Sequence, residues 1–239
     1  MTRRRFIADE VSGDRAALVG EHADHLVRVL RVRVGQDFDI ATGSVVRRGR
    51  IFFVGDARVD FELGEEIFRA RLAEITLVLA VFKFDRMEWA IEKCTELGVS
   101  RIVPVIARRT DAHLAAASAK RAERWQRIAR QAAEQSRRTA PPQIAAPIKL
   151  AGALDLTGAL RIVLAESEEQ TLLRDLVKPQ TAEDGIVLAV GPEGGWTEGE
   201  VQSFHQSGWT SASLGGTILR AETAAMAATA VVASALYSI

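Results

Sequence analysis

Hydrophobic positions along the chain follow two regimes. In the N-terminal part, short apolar runs at 3–7, 38–41, 49–54 and 57–63 are broken by glycines. Runs of that length with glycine-marked turns predict a small β-barrel. From Ile75 onward, apolar stretches at 75–82, 102–106, 161–165, 186–190 and 211–214 alternate with segments whose apolar residues recur every three or four positions. That alternation predicts an α/β domain with a mainly parallel sheet. The change of pattern divides the chain into domains 1–72 and 73–239.

Two helices of the second domain can be drawn in detail. Met87, Ala90, Ile91, Cys94 and Leu97 form an apolar stripe; Asp85 and Glu88 stand at capping-box spacing near its start, and Gly98 occupies the C′ position. Glu88, Glu92 and Glu96 then share a solvated face. A second helix is predicted over 119–138, with Trp125, Ile128, Ala129 and Ala132 inward, Lys120, Arg124 and Arg127 on another side, and Pro141 and Pro142 ending it.

Composition narrows the class. With 48% hydrophobic and 26% charged residues among 239, the chain is long and apolar enough to bury a core, which excludes disorder as its main state. The longest apolar runs, such as 76–82, fall far short of the roughly 20 residues of a spanning helix. No apolar segment follows the basic start MTRRR in the manner of a signal peptide, so a cytoplasmic location is expected and no membrane partner. The one cysteine, Cys94, forms no disulfide within the chain and has no Cys or His at ligand spacing; a packing role and no metal are expected. His22 and His25 lie without a matching carboxylate pattern for a metal.

A formal net charge of zero hides a strong segregation. Residues 101–149 carry 11 basic against 3 acidic groups, whereas 150–239 carry 4 against 11. The first segment is a belt on which a polyanion can dock, or an arginine-rich solvated helix face; charge alone does not separate the two.

Common cofactor signatures are missing: there is no G-x-x-x-x-G-K-[ST], no G-x-G-x-x-G after a strand and no G-x-S-x-G. Instead the apolar run 186–190 passes directly into Gly191-Pro192-Glu193-Gly194-Gly195, and Thr197 and Glu200 can cap the helix that follows. A glycine loop between the C-terminal end of a strand and a helix N-terminus is a favoured ligand position in α/β folds, though also a common tight turn. A second such junction follows at 214–223, LGGTILRAET, before an apolar helix predicted over 224–237. Two loops of this kind can line one crevice.

At these two loops the chain resembles the RsmE family, the 16S rRNA uridine-N3 methyltransferases of the SPOUT class. The likeness extends to HLVRVLRVRVGQ at 25–36, KFDRMEWAIEKCTELGVSRIVPV at 83–105 and RWQRIARQAAEQSRR at 124–138, so it covers essentially the whole chain. It departs from the family where a Ser-Gly-Arg exit from the central helix is replaced by Ser136-Arg137-Arg138, and where an arginine usual in the second loop is replaced by Gly216 or Thr217.

The resemblance implies an α/β SPOUT-type methyltransferase domain tied in a trefoil knot, an N-terminal PUA-like β-barrel that binds RNA, a homodimer, and S-adenosyl-L-methionine as cofactor. It implies 16S rRNA as partner, within the small ribosomal subunit. The cofactor would be held by Leu164, Ala165 and Glu166; by Val190, Gly191, Pro192, Glu193, Gly194 and Gly195; and by Leu214, Gly215, Ile218, Leu219, Arg220 and Thr223. Arg220 and Glu222 are the candidate catalytic residues, and Arg4, Arg31, Arg124, Arg127, Arg137 and Arg138 the candidate RNA contacts. A relative acting on another RNA would share the loops without the barrel. A non-catalytic RNA-binding protein needs only barrel and belt, and a dinucleotide-dependent oxidoreductase lacks its fingerprint here.

Overall fold

The computed structural model describes residues 4–43, 45–69, 74–177 and 185–236. The chain forms two compact units, Met1–Arg71 with Ala133–Ala140, and Leu72–Ala132 with Pro141–Ile239. The expected boundary at 72/73 lies outside the described residues.

The first unit contains β1 (Arg5–Ile7), β2 (Glu10–Ser12), β3 (Arg15–Val19), α1 (Glu21–Asp24) running into a π-helical turn (His25–Val29), β4 (Asp37–Ala41), β5 (Val45–Val54) and β6 (Arg58–Arg69). Its sheet has the order β1-β4-β5-β6-β3-β2. The two edge strands are separated in sequence only by Ala8 and Asp9, whose amides donate to Ala41 O on β4 and Ala17 O on β3, each at 2.9 Å. One segment thus borders both edges, and the sheet curls around Leu18, Leu26, Ile40, Ile51, Val59 and Phe61. The expected barrel is a curled sheet with this shared border. Gly49 does not break a strand as its sequence context suggests; it lies inside β5, where an added Cβ would collide with Ile40.

The second unit comprises β7 (Ile75–Ala80), α2 (Phe84–Glu96), β8 (Arg101–Ile106), α3 (Ala112–Ser118), a 3-10 turn (Ala119–Arg121) and α4 (Ala122–Gln135), whose last residues belong to the first unit. It continues through β9 (Gln143–Ile144), β10 (Ile148–Lys149), α5 (Leu150–Leu154), β11 (Leu160–Leu164), α6 (Leu173–Leu176), β12 (Ile186–Val190), α7 (Glu198–Gln206), β13 (Thr210–Ala212) and α8 (Ala221–Leu236). The sheet order is β10-β8-β7-β12-β11-β13, with β9 also on β8, and every pairing is parallel. All five residues of β12 are buried, as expected of a central parallel strand covered on both faces. One face packs against α2, α4 and α8 through Met87, Ile91, Trp125, Ala225 and Val232. The other carries Trp196, Phe204 and Trp209 in an edge-to-face row, with centroids 5.0 and 4.9 Å apart. The chain reaches the edge at β13 and then returns through α8 to pack on α2, β7 and β12.

Two helix boundaries differ from their sequence signals. At the start of α2 the N-cap is Lys83, without a side-chain cap bond, and Asp85 lies inside the first turn. With the helix starting at Phe84, Asp85 is not the N-cap and Glu88 is not at N3, so no capping box forms; the Glu88 carboxylate instead accepts two hydrogen bonds from Arg124, at 2.7 and 2.8 Å. Gly98, at φ +105, does hold the C′ position. The helix expected over 119–138 begins as a 3-10 turn and ends at Gln135. Its end is set before the prolines: Arg137 adopts φ +57 while its N–H donates to Glu134 O at 3.2 Å and that of Arg138 donates to Ala133 O at 2.8 Å. This is a Schellman closure with arginine in the place that glycine occupies at least cost. A left-handed backbone costs a non-glycine residue about 1–2 kcal/mol. Arg137→Gly should therefore raise unfolding stability by about 1 kcal/mol, read as a higher urea midpoint at unchanged slope. An unchanged or lower midpoint would refute this account.

Candidate functional site

Three neighbouring strands, β12, β11 and β13, release their loops at the same end of the sheet because all run parallel. The loops enclose a cavity of about 790 Å³. Leu164, Ala165 and Glu166 line it from β11; Val190, Gly191, Pro192, Glu193, Gly194 and Gly195 line it from β12; Leu214, Gly215, Ile218 and Leu219 line it from β13. Arg220 and Thr223, expected in the same set, do not line the cavity. They fall at the start of α8, where the helical twist points successive side chains in different directions and only Ala221 and Ala224 face the cavity.

The shape of the first loop has local causes. Gly195 sits at φ +68, and its N–H donates to Pro192 O at 2.8 Å. A Cβ there would meet Glu166 at an ordinary 3.8 Å, so the constraint on Gly195 is torsional. Gly191 is held by space instead: its Cβ would press on the Trp196 nitrogen at 3.2 Å and on the Gly195 backbone at 3.3 Å. The loop delivers the chain into α7, capped by Thr197. Glu200 Oε2 accepts from the Thr197 N–H at 2.8 Å and its hydroxyl at 2.9 Å, the capping box that the sequence predicts. The other oxygen, Oε1, accepts from the Arg108 N–H at 2.8 Å. A buried carboxylate with both oxygens satisfied thus ties the loop after β8 to the loop after β12.

Arg109, next in the chain, donates to the Gly194 carbonyl and lines the cavity. Sequence reasoning counted it only as part of the basic belt; its signal was its place just past the end of a strand. Against that one guanidinium stand Glu166, Glu168, Glu169, Glu193 and Glu198, so the lining described here is strongly acidic. The Thr171 amide, then that of Gln170, hold the Glu168 carboxyl below the usual carboxylate range, and it is charged at neutral pH. His205 Nε2 lies 2.6 Å from Ser211 Oγ at the same wall.

The two candidate catalytic residues part company. Arg220 is exposed, and its guanidinium has no hydrogen bond or ion pair among the described residues. Glu222 is 3% exposed and away from the cavity; its Oε1 lies 3.8 Å from Arg86 Nε and its Oε2 has no hydrogen-bond partner. The candidate RNA contacts divide between the units: Arg4, Arg31, Arg137 and Arg138 in the first, Arg124 and Arg127 in the second. Arg124 is committed to Glu88, which leaves the exposed Arg127 as the uncommitted arginine of that pair. Arg31, like Arg137, holds a positive φ, +51. Cys94 is fully buried beside Thr229, and burial pushes its thiol up to about 12, which makes it an inert packing group. Among the described residues no group of three His, Cys, Asp or Glu is placed to hold a metal ion, and no helix is long and apolar enough to cross a membrane.

A family model described as an RNA methyltransferase domain matches residues 69–233, a span that contains all three cavity loops. The ribosomal RNA small subunit methyltransferase E of Synechocystis is 34% identical over 220 residues, covering 90% of this chain and 71% of that one. Its counterpart from Bacillus subtilis is 30% identical, covering 87% and 85%. Among solved structures, the same-named enzyme of Neisseria gonorrhoeae, bound to S-adenosyl methionine, superposes with a TM-score of 0.81 at 32% identity over 95% of both chains. A Legionella pneumophila protein in complex with the same cofactor gives a TM-score of 0.84 at 28% identity over 98% of both. With identity of about a third sustained across nine-tenths of its length and the fold preserved with it, this chain belongs to the small-subunit methyltransferase E (RsmE) family of RNA methyltransferases.

Proposed function

We propose that the protein transfers the methyl group of S-adenosyl-L-methionine to N3 of a uridine in 16S rRNA. The observation that carries this reading is the cavity formed by the three loops, in a chain of this family. Its size suits a cofactor, and the left-handed Gly195 beside the Glu166 carboxylate keeps a stretch of bare backbone available to a ligand. The acidic lining also fits: a sulfonium ligand carries positive charge, and five carboxylates against one guanidinium favour it.

When bound, the cofactor supplies an electrophilic methyl carbon. The loops 164–166, 190–195 and 214–219 hold it and orient that carbon, while Leu214 and Ile218 present apolar surface to it. Arg220, at the end of the third loop with its donors uncommitted, is suited to the negative charge that spreads over N3 and its flanking carbonyl oxygens once the imide proton is lost to water. Glu222 does not act as the base in this reading, since it is buried away from the cavity against Arg86. Phosphate contacts come from Arg4, Arg31, Arg127, Arg137 and Arg138, with Arg124 contributing less because Glu88 already neutralises it.

The reading includes a cytoplasmic homodimer acting on the small ribosomal subunit. Met226, Ala227, Ala230 and Val231 of α8 stay partly exposed, an apolar face on which a second copy can pack.

The direct test is mass spectrometry of nucleosides from 16S rRNA of cells with and without the protein. Loss of 3-methyluridine on deletion is expected, and its persistence would overturn the assignment. Gly195→Val should weaken S-adenosyl-L-methionine binding by about tenfold or more while the protein stays folded, because β-branched residues resist φ near +68. Calorimetric titration of a folded variant with wild-type affinity would refute it. Arg220→Lys keeps the charge and loses the planar fork; under single-turnover conditions with saturating RNA and cofactor, the methylation rate constant should fall about tenfold or more at unchanged cofactor affinity. A wild-type rate constant with weaker RNA binding would assign Arg220 to docking.

A further inference from the structure

Arg86 occupies a position that nothing in the cavity accounts for. It lies in the first turn of α2, where the exposed N–H groups of the helix disfavour a cation, and α2 has no side-chain cap to offset them. Two carboxylates face it. Glu193 Oε1, in the loop after β12, is 4.0 Å from Arg86 Nη1, and Glu222 Oε1, in the first turn of α8, is 3.8 Å from Arg86 Nε. The sheet produces this meeting: β7 and β12 pair in parallel with Leu79 opposite Val190, so the helix that follows β7 starts beside the loop that follows β12. Helix α8 packs along α2 and brings Glu222 to the same end.

Glu222 makes the arrangement unusual. It is 3% exposed, yet its Oε2 has no hydrogen-bond partner, and the ion pairs of Glu222 and Glu193 among the described residues are both with Arg86. A buried carboxylate is tolerated only with a counter-charge, and here one guanidinium serves a carboxylate from each of the two glycine loops' surroundings. Remove it, and Glu193 and Glu222 are left as like charges with no cation between them. We propose that Arg86 is a positioning residue that holds the loops 191–196 and 213–220 together at the rim of the cavity without itself lining it.

This rests on the methyltransferase reading for its functional consequence, so two readouts are needed. Hydrogen exchange of the ligand-free protein does not depend on what the cavity binds. In Arg86→Gln, amides of 191–196 and 213–220 should exchange about tenfold faster, with little change in the strands beneath them, whereas Arg86→Lys should restore most of the protection because an ammonium still faces both carboxylates. Binding of S-adenosyl-L-methionine and of its demethylated product should weaken in parallel by about tenfold in Arg86→Gln. Adding Glu222→Gln to that variant, a change outside the cavity lining, should cost little more, since the ion pair it would remove is already gone. Uniform acceleration across the whole second unit, loop protection unchanged in Arg86→Gln, or fully additive losses in the double variant would each overturn the proposal. If the loops loosen as expected while the wild-type protein binds no S-adenosyl-L-methionine, the positioning role stands and the assignment of the cavity falls.

Discussion

Five consecutive residues, Ile186 to Val190, are buried on both faces because β12 pairs with β7 on one side and β11 on the other while helices cover the sheet above and below. At roughly 1.5–3 kcal/mol for each fully buried large aliphatic side chain, the burial of Ile186, Val187, Leu188 and Val190 holds this strand in the middle of the sheet. The direction of β12 then determines where its C-terminal loop emerges. Since β11 and β13 run parallel to it, their loops emerge at the same end, and the cavity follows from that coincidence of directions.

The cavity walls are stiffened by contacts that fix their backbone. Glu200 satisfies a helix cap and the Arg108 amide at once, and Arg109 braces the carbonyl of Gly194. Gly195 contributes through its torsion, and Gly191 through the space its missing side chain leaves for the returning backbone. Each of these fixes backbone rather than presenting chemistry. Arg86 extends the same arrangement to the outer side of the loops, where Glu222 is, among the described residues, the one buried acid with an oxygen that has no hydrogen-bond partner.

Charge is sorted with equal consequence. The acidic C-terminal third contributes five carboxylates to the cavity lining, where they favour a cationic ligand, while the arginines of the middle segment are distributed between the two units. An overall neutral chain can in this way present opposite signs to a cationic cofactor and a polyanionic substrate. Two of the arginines, Arg31 and Arg137, are held at positive φ, a backbone state that non-glycine residues adopt at a cost and that places their side chains at exposed turns.

Much of this was legible in one dimension. The apolar run 186–190, the glycines after it and the Thr197–Glu200 spacing identified β12, its loop and the cap of α7, because each depends on neighbours within a few residues. The two-residue strands β9 and β10 carry no periodicity and escaped notice, as did the role of Gly49, which is set by Ile40 on the next strand. The apparent capping box of Asp85 and Glu88 failed because the N-cap falls two residues earlier, at Lys83, and Glu88 turns to Arg124, thirty-six residues further on, which offers it two charged donors. Arg109 and Arg86 reached the cavity rim through contacts 85 and more residues away in sequence. Local pattern determined the elements and the glycine loops, since backbone torsion and amphipathic burial act over a few residues. Which side chains meet at the ends of those elements was decided by the tertiary structure alone, because parallel pairing brings together strand ends that are distant along the chain.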